Sequence, residues 1–147
     1  MGAVIGALAN GWYREREVKA LTKRERLGLL NLLSSEIEDN DSLLCLFMEH
    51  PMLIDPQTTA GLQTAAWDKA QVRLAQLLPE GHLDALVRYY SQLHVLKVAV
   101  DTNIREKIPE EHRLSDDKQL EEHKKRAKKS REAGQKARSL REKYLED

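Results

Sequence analysis

Side chains able to hold a metal, attack a carbonyl or move a proton are few in this sequence and widely spaced. The histidines are His50, His82, His94, His112 and His123, and the single cysteine is Cys45. A metal site inside a helical bundle wants Glu-x-x-His pairs on facing helices. No histidine here has a glutamate three residues before it, and neither a His-x3-His pair nor a cysteine cluster supplies a zinc set. His50 and His82 stand next to Pro51 and Gly81, and His112 and His123 lie in a charged tail, so surface or helix-end roles are expected. Cys45 sits in the apolar stretch SLLCLFM without the neighbouring base that a nucleophilic thiol needs, and reads as a buried small side chain. The glycines match no phosphate-cradling loop. The carboxylates recur with Lys and Arg at helical spacing, which describes solvated helix faces. The residues therefore predict no catalytic, cofactor-binding or metal-ligating group, no cofactor and no enzyme.

Two basic stretches remain. The first follows an apolar run, residues 1–13, that ends in Trp12 and Tyr13; Arg14, Arg16 and Lys19 begin the basic block, and Lys23, Arg24 and Arg26 complete it. Interfacial aromatics followed by a basic collar are what the cytoplasmic end of a membrane helix carries. Trp12, Tyr13, Arg14, Arg16 and Lys19 are accordingly expected at a membrane interface, with the basic side chains on anionic headgroups. As a helix the apolar run reaches only about 20 Å, against about 30 Å of hydrocarbon, so a full span needs further apolar residues upstream. Gly2 and Gly6 are spaced as GxxxG, a ridge that lets helices approach and suggests a homo-oligomer. The competing reading is a short buried or frayed helix of a soluble protein. The second stretch is the cluster Lys124, Lys125, Arg126, Lys128, Lys129 and Arg131, a candidate contact for an anionic partner. No aromatic is interleaved with it, as single-strand stacking requires, so a nucleic-acid partner is disfavoured and a solvated helix face is the plainer explanation.

The elements that would position these residues are helical. Charged residues make up 33% of the chain and there are four prolines and seven glycines, a composition that fits long helices. The formal net charge of zero gives no global argument for an acidic or basic partner. One cysteine excludes an internal disulfide. From Arg14 to Asp39 a long helix is expected, with the stripe Leu30, Leu33 and Ile37, and with a break allowed at the Thr22-x-x-Glu25 capping box. Asn40 or Asp41 is expected to end it and to cap a short helix over 42–49, which His50-Pro51 stops. Asp55-Pro56 opens a helix over 57–78 with Trp67, Ala70, Leu74 and Leu77 on one face. A second follows over 82–107, with Leu86, Tyr90 and Leu93 inward and Tyr89 off that face. The last helix starts at Ser115-Asp116-Asp117 and is expected to be long and largely exposed, with a thin seam of Ala133, Ala137, Leu140 and Tyr144.

The runs GAVIGALANGWYRERE, LLNLLSSEIEDN and LLPEGHLDALVRYYSQL, with a tryptophan in the third helix, together resemble a loose group of small uncharacterised bacterial proteins. Those carry an N-terminal membrane helix, a basic juxtamembrane helix and a cytoplasmic helical hairpin with Tyr-Tyr. The resemblance covers residues 2–105 and implies an architecture but no activity.

The sequence thus leads to an all-α fold, an antiparallel bundle of three to four helices over 14–108. A long N-terminal helix, with its apolar segment at 1–13, leads in, and a charged helical tail, 109–147, leads out. The function expected is a non-enzymatic, membrane-anchored interaction or scaffold protein with an unknown protein partner. It would sit in the cell membrane as a single pass with its body cytoplasmic. The alternative is a cytoplasmic helical protein that binds nucleic acid through the basic tail cluster.

Overall fold

A computed structural model describes the backbone of residues 2–146 and the side chains of residues 11–146. The fold is all-α, with α1 (Gly2–Glu49), α2 (Pro56–Thr59), α3 (Ala65–Leu77), α4 (Glu80–Val100), α5 (Thr102–Glu106) and α6 (Asp116–Leu145). Single 3-10 turns at Pro51–Leu53 and Glu110–His112 join them. α1, α3, α4 and α6 are the bundle helices, and α6 packs most extensively, against both α1 and α4.

α1 runs unbroken for 48 residues, roughly 72 Å at 1.5 Å per residue. The stretch contains no proline and is rich in Leu, Ala, Glu, Lys and Arg, the strongest helix formers. Neither the break allowed at Thr22 nor the end expected at Asn40 or Asp41 occurs. Thr22 does not cap; its hydroxyl donates to the Val18 carbonyl one turn back, at 2.8 Å. Asn40 does not end the helix, because its amide is used elsewhere. It donates to the Gln63 carbonyl at 2.8 Å and accepts from the Gln63 N–H at 2.7 Å, so the side chain pairs with a loop peptide as a strand would. The stretch 42–49 is simply the last two turns of α1, ended by His50-Pro51 as expected.

The helix expected over 57–78 is split. α2 closes after one turn, with Asp55 and Thr58 capping reciprocally, and the backbone resumes helix only at Ala65. The Asn40 clamp holds the intervening loop in place, and Leu62 behind it is fully buried. The helix over 82–107 is likewise cut at Asp101, whose carboxylate accepts from the Asn103 N–H at 2.9 Å and starts α5.

The core contains the stripe read from the sequence, Leu30, Leu33 and Ile37, continued by Leu44 and Phe47 on α1, with Ala70 and Leu74 from α3 and Leu86, Leu93 and Leu96 from α4. α6 completes it, and here the structure departs from expectation. The tail helix is not largely exposed: Ala127, Ser130, Ala133, Gly134, Ala137, Leu140 and Tyr144 are all buried. Small residues let the helix axis approach its neighbours closely, so a helix with little large apolar surface still fills the groove between α1 and α4. At Gly134 the approach is closest. A Cβ there would lie 2.9 Å from the Tyr89 ring and 3.2 Å from Ile37 Cγ2. Tyr89 is therefore fully buried rather than off the inner face. Polar pairs fix the antiparallel register of α6 on α1, with Arg131 on Asp41 at 2.9 Å, Arg138 on Glu38 at 2.6 Å and Arg141 on Asn31 at 2.6 Å.

Candidate functional site

The bundle ends one level above the start of its apolar stripe. The Arg26 guanidinium lies over the Tyr144 ring at 4.2 Å, and the Tyr144 hydroxyl is hydrogen-bonded to His82 Nδ1. Glu25 takes a two-pronged hydrogen bond from Arg73 at 2.6 and 2.7 Å. That bond, more than the charge of Arg73, holds the Glu25 carboxyl below the usual carboxylate range and pushes Arg73 up. These contacts bring the C-terminal ends of α3 and α6 and the N-terminal end of α4 to the same height on α1.

Beyond that height α1 continues alone. Every side chain from Gly11 to Leu21 is exposed, including Trp12 (54%), Tyr13 (68%), Val18 and Leu21. At 100° per residue, Trp12, Arg16, Lys19, Lys23 and Arg26 fall within a sector of about 80°. That sector continues the line of Leu30 and Ile37, so one face of α1 changes from core-facing leucine to cationic where the bundle stops. The Arg16 guanidinium stacks on the Trp12 ring at 4.0 Å, which fixes the indole along the arm. Lys19 pairs with Glu15 at 2.8 Å on the open surface, and this hydrogen bond lowers the Glu15 carboxyl. Arg14 and Tyr13 point away from the cationic sector. The five residues expected at a membrane interface therefore all lie on the projecting arm, with Trp12, Arg16 and Lys19 on one side and Tyr13 and Arg14 on others.

The apolar side chains before Asn10, and with them the Gly2–Gly6 ridge, lie outside the described residues. Among the described residues no helix is long and apolar enough to cross a membrane.

The second basic group is unevenly engaged because α6 is docked. Lys128 and Lys129 are exposed, Lys125 pairs with Glu122 at 3.1 Å, Arg131 pairs with Asp41, and Lys124 and Arg126 are half-buried.

A buried polar centre that sequence reasoning missed lies behind the arm in the packed half of α1. Glu36, read from its spacing as solvated, is 6% exposed. One of its oxygens accepts from the Ala66 N–H at 2.7 Å, in the first turn of α3, and the other accepts from the Tyr90 hydroxyl at 2.8 Å. The positive end of the α3 dipole and two donors thus replace the water that the carboxylate gave up. Burial, followed by the bond to Glu36, raises the Tyr90 phenol well above its ordinary value; burial does the same to Tyr89. Trp67 stacks flat on Tyr90 with ring centroids 4.8 Å apart and closes the centre from outside. The signal that could have found it is the spacing of Glu36, three residues after Leu33 and four before Asn40, at the edge of the apolar stripe. Cys45 is half-covered, its thiol 3.8 Å from a Glu49 oxygen. Among the described residues no group of His, Cys, Asp and Glu is arranged to hold a metal ion.

With this geometry in place, comparison with known proteins adds no family: no family model matches the chain, and neither a curated protein nor a solved structure matches it.

Proposed function

We propose that this chain is a non-enzymatic helical scaffold that the exposed arm of α1 anchors at an anionic membrane surface, with the bundle held on the cytoplasmic side for a protein partner. The observation that carries this reading is the arm. A helix whose side chains are all exposed from Gly11 to Leu21, and which sets Trp12, Arg16, Lys19 and Lys23 along one side, offers an aromatic anchor and a cationic stripe to the same plane. Tryptophan suits the headgroup level, and basic side chains gain from a negative surface potential. The register continuity of α1 through the bundle would make the anchor and body one rigid piece. The buried centre at Glu36 supports a structural role, since both of its oxygens are taken by the protein's own donors.

Co-sedimentation with phosphatidylcholine vesicles, with and without phosphatidylglycerol, tests this. Full-length protein should pellet with the anionic vesicles and less so with the neutral ones. Reversing Arg16, Lys19 and Lys23 to glutamate should weaken binding by at least about fivefold per position. Protein that stays in the supernatant with both kinds of vesicle at physiological salt would show the proposal to be wrong.

A further inference from the structure

The end of the bundle opposite the arm holds a cleft of about 270 Å³ between the end of α4, α5, the loop that follows and the first turns of α6. Its walls are apolar, with Val98, Ile104, Ile108 and Leu114 around it, and the last three are each 41–50% exposed. Three guanidiniums reach it, but they are not equivalent. Arg105 donates to Asp116 at 3.0 Å, and Arg113 donates to the carbonyls of Ile108 at 2.9 Å and Glu106 at 3.2 Å. Arg126, half-buried on α6, donates no side-chain hydrogen bond among the described residues. Beside it, His123 Nδ1 is buried with no hydrogen-bond partner. Burial, and then the charges of Arg126 and Arg105, lower the His123 pKa, so the ring is neutral and polar rather than a further cation.

We propose that this cleft binds a small monoanionic carboxylate with a compact apolar body. The carboxylate sits on the Arg126 fork with His123 at its edge, and the body lies against Val98, Ile104 and Leu114. A free guanidinium matches one carboxylate in a two-pronged pair. Buried polar atoms without partners in a protein ask for an explanation, and a ligand oxygen supplies one for His123. The size is right for a ring and its carboxylate, since about 150 Å³ of apolar cavity suffices for benzene. A phosphate fits less well. Its second charge would face Glu122 at the rim, and the Arg105 charge that could match it is already paired with Asp116. A neutral apolar molecule would cover the Arg126 guanidinium without giving it a hydrogen-bond acceptor.

The test is a titration of the full chain followed by NMR of the His123 ring and of the Val98, Ile104 and Leu114 methyl groups, with three probes: benzoate, benzyl alcohol and inorganic phosphate. Benzoate should saturate with a Kd on the order of 1 mM or tighter, and benzyl alcohol should bind at least about tenfold more weakly. Phosphate should not displace benzoate. R126Q should weaken benzoate at least about tenfold, while K128Q, exposed on the same helix, should leave it unchanged. If R126Q does not fold by circular dichroism, L114S on the exposed wall takes its place, with the same loss expected. The proposal is overturned by an absence of saturable shifts, by equal binding of benzyl alcohol, by displacement with phosphate, or by unchanged affinity in folded R126Q or in L114S.

Discussion

α1 is one helix with two lives. From Leu30 to Phe47 it is held by packing: its stripe is buried to 2% exposure or less, its polar side chains Glu36 and Asn40 bond across to α3, α4 and the loop, and α6 lies along its length. From Gly11 to Leu21 its contacts among the described residues stay within the helix itself: backbone bonds, Lys19 on Glu15, Arg16 on Trp12, Trp12 edge-on to Tyr13 and the Thr22 hydroxyl on the Val18 carbonyl. Isolated helices of this length are marginal in water, so the arm borrows its helicity from the packed half, which spares it the nucleation step. The difference shows two physical regimes in one helix: the packed half depends on the fit of its side chains, the arm on its own backbone bonds.

The sharpest way to break the comparison is to make the same change in both halves. Leu33→Ala, at a fully buried position, should lower unfolding free energy by about 2–5 kcal/mol through lost burial and a cavity. Leu21→Ala, on the exposed arm, should change it by less than about 0.5 kcal/mol. Chemical denaturation of the two variants checks this, and a comparable loss in both would mean that the arm packs against something.

Two glycines sharpen it further, with opposite signs. Gly28→Ala, where an added Cβ meets nothing within 4 Å, should stabilise the helix by about 0.4–1 kcal/mol. Gly134→Ala drives its Cβ against the Tyr89 ring and Ile37, and should destabilise by about 1–3 kcal/mol. Paired thermal melts read the two shifts, and a neutral Gly134→Ala would show that α6 can slide.

The smallest effect at ordinary pH is titration in the packed half. Tyr89 and Tyr90 have folded pKa values above their ordinary 10.0, so their protonated forms favour the native state. That stability is fully present below pH 10 and is lost as pH rises beyond it. Phenolate absorbance from these two should appear together with the loss of helix in an alkaline titration, and Y90F should shift the transition. Ionisation of both well before unfolding would contradict the burial of the pair.

Much of the packed half was legible. Leu30, Leu33 and Ile37 repeat at helical spacing, Pro51 stops a helix by sterics, and Asp55-Pro56 starts one. Each signal is local, and the fold agrees with it. The failures are places where a tertiary partner outbid the local preference. Asn40 had the chemistry of a cap, but a backbone 23 residues away offered its amide two hydrogen bonds. Glu36 was read from its helical spacing as solvated, because the donors that bury it lie 30 and 54 residues on. α6 was read as exposed because its seam is built from Ala, Ser and Gly, which carry little hydropathy and signal close approach only once the facing groove is known. The arm was legible as a list of residues but not as a stripe. Only the point where the bundle ends shows which side of α1 is left bare.

The continuity of α1 has a mechanical consequence. With no proline, loop or glycine pair between the arm and the body, whatever grips Trp12 also sets the azimuth of the bundle. A push at the arm tip acts on the packed helices as a torque, not as slack in a tether. One residue inserted after Thr22 would lengthen the standoff by only about 1.5 Å but rotate the gripping face by about 100° about the axis. In the proposed anchoring the arm would act less as a spacer than as a key, its angular registration mattering more than its reach.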